Sequence, residues 1–336
     1  MTRAGFVAAF LLAVFAIADA REPQHFVFYG FDRERITEKS FTETPALVGA
    51  QLKYRWKELE PARGEYDFSS IRHDLQILKS HKKKLFIQVQ DISFVKEFHV
   101  VPAYLRNDPE FHGGVVAGYQ YTEKEGSPQV FGTWVPRRWD PAVLARFSAL
   151  IQAIGREFDG KIEGINLAET AIDEPSPTDH WQGWSARVYY ESIQSLMRSS
   201  RVAFKKSAVL IYANFMPSDP KIAGDGQAYL KGIYKLADEI GIGVGGPDIL
   251  PKRAMQLKRS LPLIASRAKT TKAGMAVQDG NLADIDKETG KKVTAAELAA
   301  YARDPLHLDY MFWGTEEPYW TNEVLPYLKS VTKRKP

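Results

Sequence analysis

The chain alternates short segments typical of buried strands with longer segments of helical spacing, and this alternation limits its fold more than any other feature. Eight segments rich in β-branched and aromatic residues are expected to form strands. They are residues 25–31, 48–56, 84–90, 161–167, 208–215, 240–245, 273–278 and 308–313. Eight strand–helix units predict an α/β fold, a single (β/α)8 TIM barrel, with a doubly wound open sheet as the rival.

Seven helices are expected between or after these strands, at residues 71–81, 141–158, 186–204, 226–239, 251–268, 294–303 and 322–331. Two of them have clear N-terminal signals. Asp140 precedes Pro141, an N-cap followed by proline at the first helical position. Thr294 and Glu297 have the spacing of a capping box. Because no glycine-rich nucleotide motif, internal repeat or low-complexity linker interrupts the pattern, we expect one domain.

The first twenty residues differ in character from the rest of the chain. Arg3 is followed by an apolar run at 6–17 and then by Ala18, Asp19 and Ala20. A basic start, an apolar run and a small-residue end are typical of a secretory signal peptide. We therefore predict a signal peptide at 1–20 and a barrel domain at 21–336. The protein would be exported, periplasmic or secreted, with no membrane contact after cleavage. A membrane anchor is the alternative, although the run is short for a span.

The composition excludes several kinds of chemistry. The chain has no cysteine, which rules out a thiol nucleophile, a zinc–thiolate site and an iron–sulfur cluster. Its seven histidines form neither an HxH nor an HExxH pair, so no metal is expected. The net charge is only +4, and the sequence shows no basic stripe with interleaved aromatic residues. Nucleic acid is therefore not an expected partner.

Side chains in two predicted strands alternate between polar and apolar. Gln51, Lys53 and Arg55 do so in the second strand, and Gln88 and Gln90 do so in the third. Since strand side chains point alternately to two faces, the polar set is expected to face the barrel lumen. Burying such groups without partners costs about 1–3 kcal/mol each. A bound polar ligand would satisfy them, and a self-satisfied hydrogen-bond network is the alternative.

Acidic residues follow most of the predicted strands, at the end where barrel enzymes carry their active sites. They are Asp91, Glu169, Asp173, Glu174, Asp248, Asp279, Glu316 and Glu317. Two carboxylates facing each other across a pocket suffice for glycoside hydrolysis without a cofactor, because one protonates the leaving oxygen while the other assists at the anomeric carbon. The side chains expected to bind a carbohydrate are Lys53, Arg55, Gln88, Gln90, Asn166, Tyr212, Asn214, Asp248, Gln278, Trp313 and Glu316.

The segment QLKYRWKELEPARGEYDFSSI at 51–71 carries the pattern W-x-x-L-E-P-x-x-G-x-Y-D-F. It resembles the second-strand region of the large clan of retaining (β/α)8 glycoside hydrolases that includes β-galactosidases and cellulases. Weaker similarity continues through VPAYL at 101–105 and NLAET at 166–170. The resemblance implies an acid/base role for Glu169, a nucleophile at Asp279, a supporting Arg55 and a substrate contact at Trp313. Glu60, inside the pattern, is expected to be structural.

Two positions depart from the pattern of that clan. The clan usually has asparagine directly before its acid/base glutamate, whereas here Ala168 precedes Glu169 and the asparagine is Asn166. Its nucleophile is usually glutamate, whereas here the seventh strand ends in VQDGN. Either Asp279 replaces that glutamate, or Gln278 occupies its place and the nucleophile is elsewhere or absent.

Three functions are compatible with these features. The first is an exported glycosidase in which Glu169 acts as acid and then base, with Asp279 as nucleophile or water-activating base. Asp248 and Glu316 are the alternative partners. The second is a carbohydrate-binding barrel without catalysis, suggested by Gln278. The third is another barrel enzyme such as a polysaccharide lyase, which would use the basic and phenolic side chains of the second and fifth strands.

Overall fold

Eight parallel strands close into a barrel. The computed structural model describes residues 21–121, 129–172, 181–217, 227–252, 257–285 and 290–333. Its strands are β1 (Gln24–Gly30), β2 (Leu47–Arg55), β3 (Lys84–Gln90), β4 (Val115–Tyr121), β5 (Gln129–Pro136), β6 (Gly164–Leu167), β7 (Ala208–Tyr212), β8 (Gly243–Gly246), β9 (Ala273–Val277) and β10 (Tyr310–Trp313). All except β4 and β5 belong to the barrel, so the (β/α)8 fold and all eight predicted strands are confirmed. The predicted signal peptide lies outside the described residues.

The helices pack around this barrel. They are α1 (Lys39–Thr42), α2 (Trp56–Leu59), α3 (Ser69–Ser80), α4 (Ala103–Asn107), α5 (Pro141–Phe158), α6 (Ala186–Ala203), α7 (Ala228–Ile240), α8 (Ser260–Ser266), α9 (Ala295–Arg303) and α10 (Leu325–Lys333). The two predicted N-caps are confirmed. Asp140 accepts hydrogen bonds from the backbone of α5, and Thr294 with Glu297 forms a capping box on α9.

Two helix boundaries differ from the prediction. Within the predicted helix at 251–268, the structure shows α8, which begins only at Ser260. Pro262 fits there because a proline, lacking an N–H group, is tolerated in the first turn of a helix. Residues 251–252 form a turn, and 253–256 lie outside the described residues. The predicted helix at 322–331 is α10, preceded by a π-helical turn at Trp320–Val324.

A β-hairpin that the sequence did not reveal follows β3. Strands β4 and β5 pair antiparallel within the long connection between β3 and α5. The backbone of Ser93, just beyond β3, exchanges two hydrogen bonds with Trp134 of β5, at 3.1 and 3.0 Å. The hairpin is therefore fastened to the C-terminal end of the barrel, where it flanks the mouth of the lumen.

Aromatic side chains fill the lower part of the barrel lumen. Phe26, Phe86, Tyr310 and Phe312 form one buried cluster with Leu210 and Tyr212. The rings of Phe86 and Phe312 lie 5.1 Å apart, edge to face. Gly164 makes room for this layer, since a Cβ atom there would lie 2.5 Å from the ring of Phe86. A ligand can therefore enter the lumen from the C-terminal end alone.

The outer face of the barrel carries the other set of strand side chains. Leu52, Tyr54, Ile87 and Val89 belong to the core between strands and helices, which confirms the predicted polar-inside alternation. Trp313 lies in this outer layer as well and is fully buried. Its predicted contact with a substrate is therefore wrong, because strand alternation turns it away from the lumen. Within the described residues, no helix is long and apolar enough to span a membrane.

Candidate active site

Glu169 lies just beyond β6, at the C-terminal end of the barrel. Asn214, two residues beyond β7, donates a hydrogen bond from Nδ2 to Glu169 Oε2 at 2.9 Å. The side-chain oxygen of Asn214 in turn accepts from the backbone N–H of Phe215 at 3.1 Å, which fixes the orientation of the amide. The structure therefore brings Glu169 and Asn214, both predicted site residues, into direct contact.

A buried ion pair holds the backbone beneath Glu169. Arg138 donates two hydrogen bonds to Asp91, at 2.7 and 2.6 Å, and a third to the backbone oxygen of Glu169 at 2.7 Å. Tyr189 donates to the backbone oxygen of Thr170 at 3.0 Å. Arg138 and Asp91 are only 4% and 1% exposed, so this bracket is rigid and shielded from solvent. Its effect is to fix the position of the Glu169 carboxyl group.

Burial and charge favour the protonated form of Glu169. Burial raises the pKa of Glu169, the hydrogen bond from Asn214 lowers it, and the charge of Asp248 raises it again. Lys53 acts in the opposite direction, but its own pKa is lowered by burial. The net result is a pKa above the ordinary value of a glutamate. A carboxyl group in this state stays protonated to a higher pH than an ordinary glutamate, which suits a proton donor.

Asp248, beyond β8, is the carboxylate that acts electrostatically on Glu169. Asn281 donates from Nδ2 to Asp248 Oδ1 at 2.9 Å. The side-chain oxygen of Asn281 accepts from the backbone N–H groups of Ile249 and Gln278, both at 3.2 Å. Asn281 is 3% exposed, so it joins the loops after β8 and β9 from within. Asn281 thus orients Asp248, and the charge of Asp248 raises the pKa of Glu169.

Buried amides line the lumen beneath these carboxylates. Lys53, Gln88 and Asn166 are side by side on β2, β3 and β6. Gln51 donates to the hydroxyl of Tyr212 at 3.4 Å. Among the described residues, the side-chain oxygens of Gln51 and Gln88 and both polar atoms of Asn166 have no hydrogen-bond partner. The predicted self-satisfied network is therefore incomplete within the described part of the chain.

Asp279 and Glu316 form a separate acidic pair at the rim. The Asp279 side chain is exposed. Partial burial and the charge of Glu316 raise the pKa of Asp279, and Glu169 is not among the groups that shift it. Glu316 accepts a hydrogen bond from the backbone N–H of Gly280 at 2.7 Å. Gln278 follows β9 with the same alternation as the lumen residue Ala276. The pairing of Asp279 with Glu169, predicted from the resemblance, gains no support from this geometry.

Two other predicted site residues are engaged locally. Arg55 pairs with Glu58 at 2.8 Å, and its guanidinium group lies 3.9 Å from the centre of the Phe31 ring. Among the described residues, the buried Nε of Arg55 has no hydrogen-bond partner, so the support of a catalytic carboxylate by Arg55 stays a prediction. Gln90 donates to the backbone oxygen of Ile92 at 2.7 Å and stabilises the turn after β3. The predicted Asp173 and Glu174 lie outside the described residues.

The pattern at residues 56–68 has a structural role, as expected for Glu60. The Trp56 indole donates to Glu60 Oε2 at 2.8 Å, and the backbone N–H of Gly64 donates to Oε1 at 2.9 Å. Arg146 of α5 forms an ion pair with the same carboxylate. Glu60 is fully buried. It therefore ties the turn after β2 to α5, away from the lumen.

Sequence reasoning missed three residues that position the site: Arg138, Tyr189 and Asn281. Arg138 belongs to the run PRRWD, where two arginines precede a helix N-cap, and nothing in that run indicates burial. Asn281 stood within the VQDGN motif that drew attention to Gln278 and Asp279. Within the described part of the chain, no cluster of three or more acidic or histidine side chains is arranged to hold a metal ion.

No protein-family model matches the chain, and no curated protein matches it in sequence. Its fold, however, is similar to solved structures. The catalytic domain of beta-amylase from Paenibacillus polymyxa matches with a TM-score of 0.61 at 9% identity, covering 96% of this chain and 100% of that one. Endo-glycoceramidase II from Rhodococcus sp. matches with a TM-score of 0.54 at 10% identity, covering 92% and 78%. The chain is a (β/α)8-barrel protein, as both similarities show.

Proposed function

We propose that this protein is an exported glycoside hydrolase acting on a poly- or oligosaccharide. The observation that carries the proposal is the buried carboxyl group of Glu169, which lies just beyond β6 at the C-terminal end of the barrel and accepts a hydrogen bond from Asn214 at 2.9 Å. Burial, and then the charge of Asp248, raise its pKa. A carboxyl group that stays protonated can protonate the glycosidic oxygen as the bond to the leaving sugar breaks. Asn214 and the Arg138 bracket hold it in position for that transfer.

Asp248 is the better candidate for the second carboxylate. It acts on Glu169 electrostatically and is oriented by Asn281, whereas Asp279 is exposed and interacts with Glu316. In the proposed mechanism the Asp248 carboxylate either attacks the anomeric carbon or activates the water that does. Retention, with a covalent intermediate, is our proposal for the stereochemistry. It is supported by the fold neighbour endo-glycoceramidase II, whose matched structure is a lactosyl-enzyme intermediate.

The lumen amides would hold the sugar ring that is cleaved. Gln88 and Asn166 carry buried polar atoms without partners among the described residues, and Lys53 lies beside Gln88. A sugar ring presents hydroxyl groups on several sides, so it can satisfy such atoms at once. Tyr212, beneath them, would close the floor of the site. The fold neighbours named beta-amylase and endo-glycoceramidase support a carbohydrate as the ligand. Export rests on the signal-like residues 1–20.

The test is to incubate the protein with a panel of poly- and oligosaccharides and to measure hydrolysis by the release of reducing ends. We expect Glu169→Gln to lower kcat about 10²–10⁴-fold, because the amide cannot donate the proton. Glu191→Gln, a change of the same type at an exposed position of α6, is the matched control and should leave the rate unchanged. Full activity of Glu169→Gln on a substrate that the wild type cleaves would disprove the assignment.

A carbohydrate-binding barrel without catalysis is the second candidate. It is favoured by Gln278, which stands after β9 where the resembling family carries its nucleophile. The two functions differ in a simple measurement. If wild-type protein binds a glycan tightly and releases no product from it on prolonged incubation, binding alone is its function. Release of product, abolished by Glu169→Gln while binding remains, identifies the enzyme.

A further inference from the structure

A row of alternating cations and aromatic rings runs from the lumen to the rim of the barrel. Lys53 Nζ and Arg55 Cζ lie 5.8 and 3.9 Å from the centre of the Phe31 ring. Arg55 Cζ and Lys57 Nζ each lie 5.6 Å from the centre of the Phe98 ring. The order from inside to outside is therefore Lys53, Phe31, Arg55, Phe98 and Lys57, which we call the cationic row. Its inner end lies close enough to Glu169 for their charges to interact.

The cationic row opens at its outer end into a pocket of about 410 Å³. Lys57, His99 and Arg106 line this pocket. Among the described residues that line it, Glu58 is the acidic one, and Glu58 is already paired with Arg55 at 2.8 Å. The pKa of His99 is lowered by burial and then by the charges of Arg106 and Lys57. The field inside the pocket is thus positive, which favours an anionic ligand.

Exposed apolar side chains lie next to the cationic row, on the loop after β3. Phe94, Val95 and Phe98 are 48%, 40% and 40% exposed, although they stand within five residues of one another. The hairpin braces this loop, since the Trp134 indole donates to the backbone oxygen of Lys96 at 3.0 Å. A cluster of exposed apolar side chains at the mouth of a cleft marks a surface that binds something. Aromatic rings there suit the apolar C–H faces of sugars.

We propose that the cationic row and its pocket bind an anionic polysaccharide, whose chain runs along β2 into the lumen. Such a polymer repeats two features, a ring with apolar faces and a carboxylate or sulfate group. The cationic row carries a matching partner for each feature. Its aromatic rings can pack against the sugar faces, and its ammonium and guanidinium groups can pair with the anionic groups. Lys53 and Arg55 are two residues apart on a strand, so their Cα atoms are about 6.6 Å apart. A neutral glycan could accept hydrogen bonds from Lys57 and Arg106 but would form no ion pairs with them.

This inference rests on the proposed function, because it names the substrate class of the same cleft. A single-stranded nucleic acid also combines rings and charges, and an anionic membrane surface also presents negative charge. The inner end of the row favours the glycan. There it meets Gln88 and Asn166, whose buried amide atoms match a ligand rich in hydroxyl groups. Both acidic groups near that end, Glu169 and Asp248, then act on the sugar that reaches them.

The test measures binding of the mature protein to polygalacturonate and to dextran sulfate. Carboxyl-reduced polygalacturonate and dextran are their neutral counterparts. The charge-reversal variant Lys57→Glu with Arg106→Glu should weaken binding to one or both anionic polymers at least about tenfold. Its matched control is Lys39→Glu with Lys269→Glu, which changes the net charge equally at exposed positions outside the cationic row and its pocket. The control should bind within about twofold of wild type.

The two polymers separate the two sources of charge, since preference for polygalacturonate identifies carboxylates and preference for dextran sulfate identifies sulfates. Equal binding of charged and neutral polymers would overturn the inference, as would equal losses in the variant and its control. Tighter binding of single-stranded DNA or of anionic phospholipid vesicles would overturn it too. Binding of an anionic polymer without cleavage would sustain it while refuting the proposed hydrolase. Efficient cleavage of neutral glycans alone would refute this inference while sustaining the proposed hydrolase.

Discussion

Asn214, in the loop after β7, donates a hydrogen bond to the carboxyl group of Glu169, in the loop after the neighbouring strand β6. The donor stabilises the ionised form of Glu169, so it opposes the burial that raises the pKa of this group. The final pKa of Glu169 is therefore a balance between burial and the charge of Asp248, which raise it, and the Asn214 amide and nearby cations, which lower it. This balance determines at which pH the group can act as an acid.

Replacing Asn214 by alanine should move that balance toward the protonated form. A hydrogen bond to a charged acceptor contributes about 1.5–3 kcal/mol, and its loss falls mainly on the ionised carboxylate. We expect Asn214→Ala to raise the pKa of Glu169 further. The shift can be followed by carbon NMR of labelled glutamate, with Glu169→Gln to assign the signal. Asn107→Ala, at an exposed position, should leave the titration unchanged, and an unshifted Asn214→Ala titration would contradict this account.

The pH dependence of stability should also depend on Glu169. Since its pKa in the folded state is raised, folding favours the protonated form, and stability falls as the pH rises from the ordinary glutamate pKa through the raised value. Each unit of upward shift corresponds to about 1.4 kcal/mol above that window. Glu169→Gln removes the ionisation, so it should gain stability relative to wild type as the pH rises. Urea unfolding at pH 4 and pH 8 measures this, and a difference that stays constant would refute it.

The buried pair of Asp91 and Arg138 should make a large contribution to stability. Arg138→Ala leaves the carboxylate of Asp91 buried without its partner, which costs about 3–5 kcal/mol. Asp91→Ala should be similarly harmful, and the double variant should cost less than the two changes added together. A double-mutant cycle from urea unfolding tests this coupling, which we expect at about 0.5–3 kcal/mol. Strict additivity would mean that the two side chains act independently.

The strand–helix alternation was enough to predict the barrel, because each strand and each helix shows its own periodicity locally. The polar alternation in β2 and β3 was likewise sufficient to predict which side chains face the lumen. The resemblance implies a substrate contact for Trp313, whereas alternation places Trp313 on the outer face, one residue beyond the lumen-facing Phe312. A position at the end of a strand places a residue at the C-terminal edge of the barrel, but strand alternation decides whether its side chain faces the lumen or the helices.

The arrangement of the loops could not be predicted from sequence. Asp248 and Asp279 each follow a strand, and only the folded loops bring the first to act on Glu169 and the second beside Glu316. The cationic row was hidden for the same reason. Its rings, Phe31 and Phe98, come from loops far from β2 in sequence. Contacts between distant segments depend on tertiary packing, which local patterns do not encode.

Trp313 should be important for stability and not for ligand binding. Its indole N–H donates to Nδ1 of His25 at 3.1 Å, and both side chains are buried. Trp313→Phe leaves His25 without that donor, so a loss of about 1–3 kcal/mol is expected. Affinity for glycans should stay within about twofold of wild type. The two readouts are urea unfolding and glycan binding, and a variant with normal stability but weakened binding would restore Trp313 as a substrate contact.

The choice between Asp248 and Asp279 is decided by a matched pair of amide variants. Asp248 acts on Glu169 and is oriented by Asn281, so Asp248→Asn should lower kcat/KM at least about 10²-fold by removing the second carboxylate. Asp279→Asn removes an exposed group that interacts with Glu316, and its kcat/KM should fall by less than about tenfold. Both variants are made in one background and assayed on one substrate.

Azide added to Asp248→Asn supplies an external nucleophile, so recovery of activity would show that the missing carboxylate assists attack at the anomeric carbon. The opposite pattern, with Asp279→Asn inactive and Asp248→Asn active, would return the catalytic role to Asp279.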